Sequence, residues 1–142
     1  MTISTFAATP LPEPIAGLDE YVPGRCNIGK AEIASRRRSG YVGTAATIGL
    51  LVALVAIGAP PLARLIIALP AAIAASGFIQ ARLRFCAGFG ALGVYNFDAR
   101  GETVQIAEAE ARRRDRAKAL QISLASGLIG LAVGIVAVLL PI

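Results

Sequence analysis

The sequence predicts an all-α integral membrane protein with three transmembrane helices, and three observations carry that expectation. Residues 39–63, 65–81 and 119–142 hold no charged side chain. At about 1.5 Å per residue, such runs reach or approach the roughly 30 Å needed to cross a hydrocarbon core as helices. Every Asp and Glu, and every Lys and Arg except Arg64, falls within 1–38 or 82–118. Finally, 56% of the 142 residues are hydrophobic, 16% are charged and the mean hydropathy is +0.67, a balance foreign to soluble domains.

Residues 1–24 hold Pro10, Pro12, Pro14 and Pro23 with little apolar periodicity, which predicts an extended or disordered tail. They lack the basic start and continuous apolar stretch of a cleaved signal peptide. Residues 25–142 form one membrane domain. Asn27 is placed to cap a short interfacial helix over 29–38. The first span follows at about 40–58, and Pro60-Pro61 ends it.

The turn after those prolines is tight, so the second span, about 62–81, runs antiparallel to the first. Its seventeen uncharged residues between Arg64 and Arg82 are at the lower limit for crossing. Snorkelling of the two flanking arginines would extend it. Pro70 inside this span predicts a kink. Residues 82–101 mix aromatics with Gly88, Gly90, Gly93 and Gly101 and sustain no helical face, which predicts a cytoplasmic interfacial loop. From Glu102 one long helix is expected to 140, charged in its first part and apolar over the third span, about 119–140. Glu108–Arg112 and Glu110–Arg114 are four-apart pairs in the favourable order. With no Trp, anchoring at the interface falls to Tyr41, Tyr95, Phe85, Phe89 and Phe97.

The positive charge sets the orientation. Arg36, Arg37 and Arg38, then Arg82 and Arg84, then Arg112, Arg113, Arg114, Arg116 and Lys118 all flank the same ends of the three spans. The positive-inside rule puts that side in the cytoplasm, with the N-terminus in, the C-terminus out and the protein in the cell (inner) membrane. The same residues offer a weak contact to anionic membrane lipid. The net charge of +5 and the pI near 9.9 come from these flanks, so nucleic acid is not an expected partner.

The chain has no His, and its one Met is Met1. His-ligated haem, chlorophyll or copper is therefore excluded within it, as are Ser-His-Asp and Cys-His catalysis. Gly88-Phe-Gly90-Ala-Leu-Gly93 matches a dinucleotide fingerprint in letters only, since a membrane span precedes it instead of a strand. Cys26 and Cys86 both follow arginine-containing stretches, which favour the thiolate. They are the candidates for thiol chemistry or, across a dimer, for a shared metal. Small residues recur at four-residue spacing as Ala45, Gly49 and Ala53 on the first span and Ser126, Gly130 and Gly134 on the third. Such ridges permit close helix packing, within the chain or against another subunit.

Cys26-Asn27-Ile28-Gly29, then Arg36–Arg38 and Gly40, open the apolar hairpin, and Arg84-Phe85-Cys86 with Gly90 and Gly93-Val94-Tyr95-Asn96 follow it. Over about residues 26–97 this resembles the small two-span inner-membrane domain of unknown function that also occurs fused to rhodanese domains. The acidic-Arg pair usual after Asn-x-Gly in that family is here the looser Glu32 and Arg36, and residues 98–142 have no counterpart. Sulfur transfer does not carry over, because no rhodanese domain is present. The resemblance implies that Cys26 and Cys86 lie near each other.

The leading functional expectation is a non-catalytic membrane protein, a structural or accessory subunit of a larger complex or a homo-oligomer. Two other readings stay open. One is thiol-dependent sulfur or metal handling at the cytoplasmic face through Cys26 and Cys86, and the other is a passive small-solute conduit formed by an oligomer.

Overall fold

The computed structural model describes residues 20–98 and 101–142. The predicted tail, apart from 20–24, lies outside these residues. Helix α1 runs Lys30–Ala56, a 3₁₀ helix runs Pro61–Ile67, and α2 follows as Ala68–Leu83. After a short α3, Ala87–Leu92, come strands β1, Val94–Tyr95, and β2, Val104–Gln105, and then the long α4, Ala109–Leu139. Three helical segments, Lys30–Ala56, Pro61–Leu83 and Ala109–Leu139, are long and apolar enough to cross a membrane.

Several boundaries differ from expectation. No separate interfacial helix covers 29–38, because the arginine turn continues into the apolar run as one helix of 27 residues. Nothing in Ser35–Gly43 breaks the hydrogen-bond ladder, and the three arginines sit comfortably in helical geometry. Pro70 stands close to where the second span changes from 3₁₀ to α winding. It is the third residue of α2, where a missing N–H is tolerated, and the residues before it wind as 3₁₀ instead. The long helix starts at Ala109 and not at Glu102, because Val104 and Gln105 pair antiparallel with Tyr95 and Val94. The loop expected over 82–101 contains the last turn of α2, α3 and β1.

The turn between α1 and the 3₁₀ helix closes through Gly58 at φ +65°, with Ala59 N–H donating to the Leu54 carbonyl at 2.9 Å. This is the left-handed helix stop for which glycine is favoured. Helix α2 packs against both α1 and α4. Gly40 and Gly43 meet Gly77 and Ala74, so α1 and α2 are antiparallel. Gly130 and Gly134 meet Ala68, Ala72 and Leu65 at one end, and Phe85 clusters with Ala119 and Ile122 at the other, so α4 is antiparallel to α2 as well. The basic segments of α1, α2 and α4 therefore share one end of the molecule.

The interior is built of small side chains. Helix α2 buries Ala71, Ala74, Gly77, Gln80 and Ala81, while α4 buries Ala111, Asp115, Ala119, Ile122, Ser126, Gly130, Gly134 and Ala137. Most large apolar residues of the long helical segments, among them Val52, Leu69, Leu128 and Val136, point outward, with Ile67 and Ile122 the buried exceptions. Hydroxyls along the helices are satisfied locally: Thr44, Thr47, Ser123 and Ser126 each donate to the carbonyl four residues back.

The two ridges have different fates. Ser126, Gly130 and Gly134 are buried against α2, whereas Ala45, Gly49 and Ala53 are exposed, and a Cβ at Gly49 would meet nothing within 4 Å. On α1 the buried contact is made instead by Gly40 and Gly43, offset to another face of the helix. A Cβ on Gly77 would stand 2.5 Å from the Gly40 nitrogen and 2.7 Å from the Arg36 oxygen. Phe85, expected as an interface anchor, is fully buried under α4.

At the end away from the basic segments, Arg64 is buried rather than snorkelling. Its guanidinium donates to the backbone oxygens of Ala137, Leu140 and Ile142. These lie at and beyond the last turn of α4, where carbonyls lack intrahelical partners and the helix dipole favours a cation.

The α2–α4 contact yields a direct test. A Cβ on Gly130 would overlap the Ala68 carbonyl oxygen and the Ala72 methyl, whereas Gly127 on the same helix faces open space. Gly130→Val should destabilise the chain by about 1–3 kcal/mol or more through overpacking. Gly127→Val carries the same change in helix propensity without the overlap. Thermal melts in detergent that lower both variants equally would refute close α2–α4 packing.

Candidate functional site

The polar chemistry gathers at the basic end, where residues 20–29 and 84–98 fold over the first turns of α4. Asn27 is its hub. It does not cap α1, whose N-cap is Gly29 with no side-chain hydrogen bond. Its carboxamide is turned instead to the segment after α2: Nδ2 donates to the Cys86 carbonyl at 3.0 Å, and Oδ1 accepts from the Cys86 N–H at 2.6 Å. Its backbone is held as well, the N–H by the Arg84 carbonyl at 3.2 Å and the carbonyl by the Asn96 N–H at 3.0 Å. Gly29 N–H closes the arrangement on the Asn96 carbonyl at 2.9 Å. All of Asn27, Ile28, Gly29, Cys86 and Asn96 are buried, so these backbone groups have no recourse to water.

Gly29 is required by proximity, since a Cβ there would stand 2.9 Å from the Phe97 carbonyl oxygen. Gln80 extends the network by accepting from the Ala87 N–H at 2.9 Å while donating to Ser76 at 2.6 Å. Asn96 Oδ1 accepts from the Asp98 N–H at 2.8 Å, and the Asn96 Nδ2, also buried, faces no acceptor.

Asp115 is the second anchor. It is completely buried on α4 and accepts from the Gly24 N–H at 2.6 Å and the Tyr21 hydroxyl at 3.0 Å. Burial, and then the hydrogen bond to this carboxylate, push the Tyr21 phenol above its ordinary value of 10.0. Tyr21 stacks on Tyr95 at 4.7 Å between centroids, and Tyr95 leans on Phe97 at 5.9 Å. On the other side α3 approaches α4 so closely that a Cβ on Gly90 would lie 2.9 Å from the Asp115 carbonyl oxygen. The fingerprint-like glycines thus serve a helix contact at Gly90 and a left-handed helix stop at Gly93, φ +71°.

The two cysteines are brought into one structural unit, because the residue after Cys26 clamps the backbone of Cys86. Neither is in a disulfide. Cys86 is 2% exposed, and Cys26 is half-buried with its thiol 3.8 Å from the Ile28 carbonyl. Among the described residues no three His, Cys, Asp or Glu side chains converge as a metal site would require.

The basic residues divide by partner. Arg36 pairs with Glu32 at 3.3 Å, and Arg37 and Arg38 are exposed. Glu110 receives Arg114 at 3.3 Å and Arg113 at 3.7 Å. Arg112, expected to pair with Glu108, gives its guanidinium to the Ile106 and Ala107 carbonyls at 2.7 and 2.8 Å and so fastens the β2 segment to α4. Arg116 is exposed and Lys118 half-buried.

Two openings lie beside this head. One, about 400 Å³, is lined by Arg36, Ser39, Ser76, Gln80, Ser123 and Ser126 among others, in the groove between α1 and α4. The other, about 520 Å³, lies between α1 and the end of α2. No family model matches the chain, and comparison with curated proteins and with solved structures likewise finds no similar protein.

Cys26, Cys86 and the arginines stand out in the sequence by type, whereas the clamp role of Asn27 and the roles of Asp115 and Gln80 do not, and Asn96 enters only as part of the family-like motif. Asp115 had a legible signal. It continues the alternating four- and three-residue spacing of the buried face through Ala119 and Ile122 to Ser126, so it is an acid on a packing face. The clamp makes its own prediction. Asn27→Ala strands the buried N–H of Cys86, whose carbonyl keeps the Gly90 N–H at 2.9 Å. At about 1–3 kcal/mol for one orphaned buried group, the variant should lose about that much stability and open the 84–98 segment to protease. A melt and digestion pattern like wild type would show that Asn27 is not the anchor.

Proposed function

We propose that the chain is an integral protein of the cell (inner) membrane. Its basic end faces the cytoplasm, and it acts as a non-catalytic structural or accessory subunit that joins itself or a larger membrane complex. Support for the membrane setting comes from the inverted packing, with Gly, Ala and Ser inside and large apolar side chains outside, as expected where lipid is the solvent. Support for the orientation comes from the gathering of Arg36–Arg38, Arg82, Arg84 and the 112–118 cluster at one end.

The observation that carries the subunit reading is the outer face of α1. The ridge Ala45, Gly49, Ala53 is exposed, while the corresponding ridge on α4 is consumed by α2. The most apolar window of α1 is 11% buried, against 28% for each of the other two spans. An uncovered small-residue ridge lets a second helix approach at backbone distance. No catalytic group lies on this face, whose neighbours are Val42, Ile48 and Val52.

Two measurements test this. Native mass spectrometry after mild extraction should show an assembly or a copurifying membrane subunit, and Gly49→Leu should abolish it without lowering the monomer melting temperature. A wild type that is monomeric and partnerless removes the reading. For orientation, a C-terminal reporter active only outside the cytoplasm should be active, and activity of a cytoplasm-only reporter at that position would reverse the topology.

A further inference from the structure

The cleft between α1 and the end of α2 is lined by Lys30, Arg37, Arg82 and Arg84, together with Ile33, Ala34 and Ala81. Four cations meet there and no carboxylate is among the lining residues. The nearest acid along α1, Glu32, is engaged by Arg36. The four are exposed and their mutual repulsion is screened by water, so they stand ready to pair with an anion, and about 520 Å³ is ample for a phosphate group with its substituents.

The backbone supplies an independent sign. Arg84 ends α2 in the left-handed conformation, φ 54° and ψ 37°, and it is the single non-glycine residue with positive φ among those described. Glycine is the usual occupant of this helix stop, and a long side chain there carries a conformational cost. Held so, Arg84 both lines the cleft with its side chain and offers its carbonyl to Asn27. Residues held in such conformations cluster at ligand clamps. Lys30 adds the first turn of α1, a helix without a side-chain cap and with its positive dipole end at the same place.

We infer that this cleft binds the phosphate of an anionic lipid headgroup, with Lys30, Arg37, Arg82 and Arg84 as its ligands. The inference rests on the membrane reading above. The apolar residues support a lipid over a soluble phosphate. Ile33, Ala34 and Ala81 form part of the wall, and the exposed Phe78 lies one turn further along α2, away from the basic end, where an acyl chain would lie. Basic pockets between transmembrane helices on the cytoplasmic side recognise such headgroups.

The test uses the full chain in neutral detergent, titrated with phosphatidylglycerol or phosphatidylcholine and read by native mass spectrometry. Phosphatidylglycerol should be retained in preference. Arg37→Gln/Arg82→Gln should weaken it about thirtyfold, from a factor of about five per cation removed. The charge-matched Arg113→Gln/Arg116→Gln removes only diffuse surface contact and should weaken binding severalfold less, and circular dichroism melts should show both variants folded. Equal loss in the two variants would mean diffuse attraction and overturn the site. So would an absence of preference between the lipids, and inorganic phosphate binding as tightly as phosphatidylglycerol would overturn the lipid assignment. Reconstitution into pure phosphatidylcholine vesicles separates the premises: a chain that does not insert defeats the membrane reading, whereas one that inserts without anionic preference defeats only this proposal.

Discussion

The architecture depends on helix backbones approaching to the limit that glycine and alanine allow. Helix α2 is the central element, and it is gripped from two sides through different residues. Ala74 and Gly77 receive Gly43 and Gly40 of α1, while Ala68 and Ala72 receive Gly130 of α4. At such separations the attraction is dispersion summed over many backbone atoms, and it falls quickly with any added bulk. The large side chains are displaced outward by the same geometry. An exterior of Leu, Ile and Val and an interior of Gly, Ala and Ser are thus two results of one constraint.

The two ends of the molecule satisfy their polar groups in contrasting ways. At the far end a single buried cation, Arg64, collects the carbonyls that α4 leaves unpaired. At the basic end a neutral carboxamide, Asn27, and a buried acid, Asp115, hold two irregular segments against α4. Irregular backbone buried against other backbone must find partners within the protein, which is why short polar side chains cluster there. The clamp also adjoins the basic cleft, since Arg84 belongs to the cleft and to the Asn27 network at once.

Legibility varied with the range of the interaction that decides each feature. The three apolar runs could be read directly, because crossing length and charge exclusion are properties of a local stretch. Pro70 shows the same dependence, since its place in the first turn of α2 follows from the 3₁₀ turns of Pro61–Ile67, which move the start of that helix to Ala68. The start of α4 was misplaced for a similar reason: strand pairing between Tyr95 and Val104 held 102–108 out of the helix. Of the candidate site, the arginines and cysteines were visible by type, whereas Asn27 was assigned to the wrong partner. A residue placed two positions before a helix looks like a cap until the segment 59 residues away is seen to accept it.

The number of long apolar helices, the gathering of all charge but Arg64 at one end of them and the lack of a His ligand in the chain are all written in the order of residues alone. These follow from composition and from periodicity within single segments. Only the tertiary structure decided which glycines became contacts. Four-residue spacing is identical on α1 and α4, yet the rotation of α1 about its axis buries Gly40 and Gly43 and leaves Ala45, Gly49 and Ala53 uncovered. It also decided which arginines were spent on carboxylates or carbonyls and which were left facing a common opening. That division turns on neighbours distant in the chain, and no local pattern encodes it.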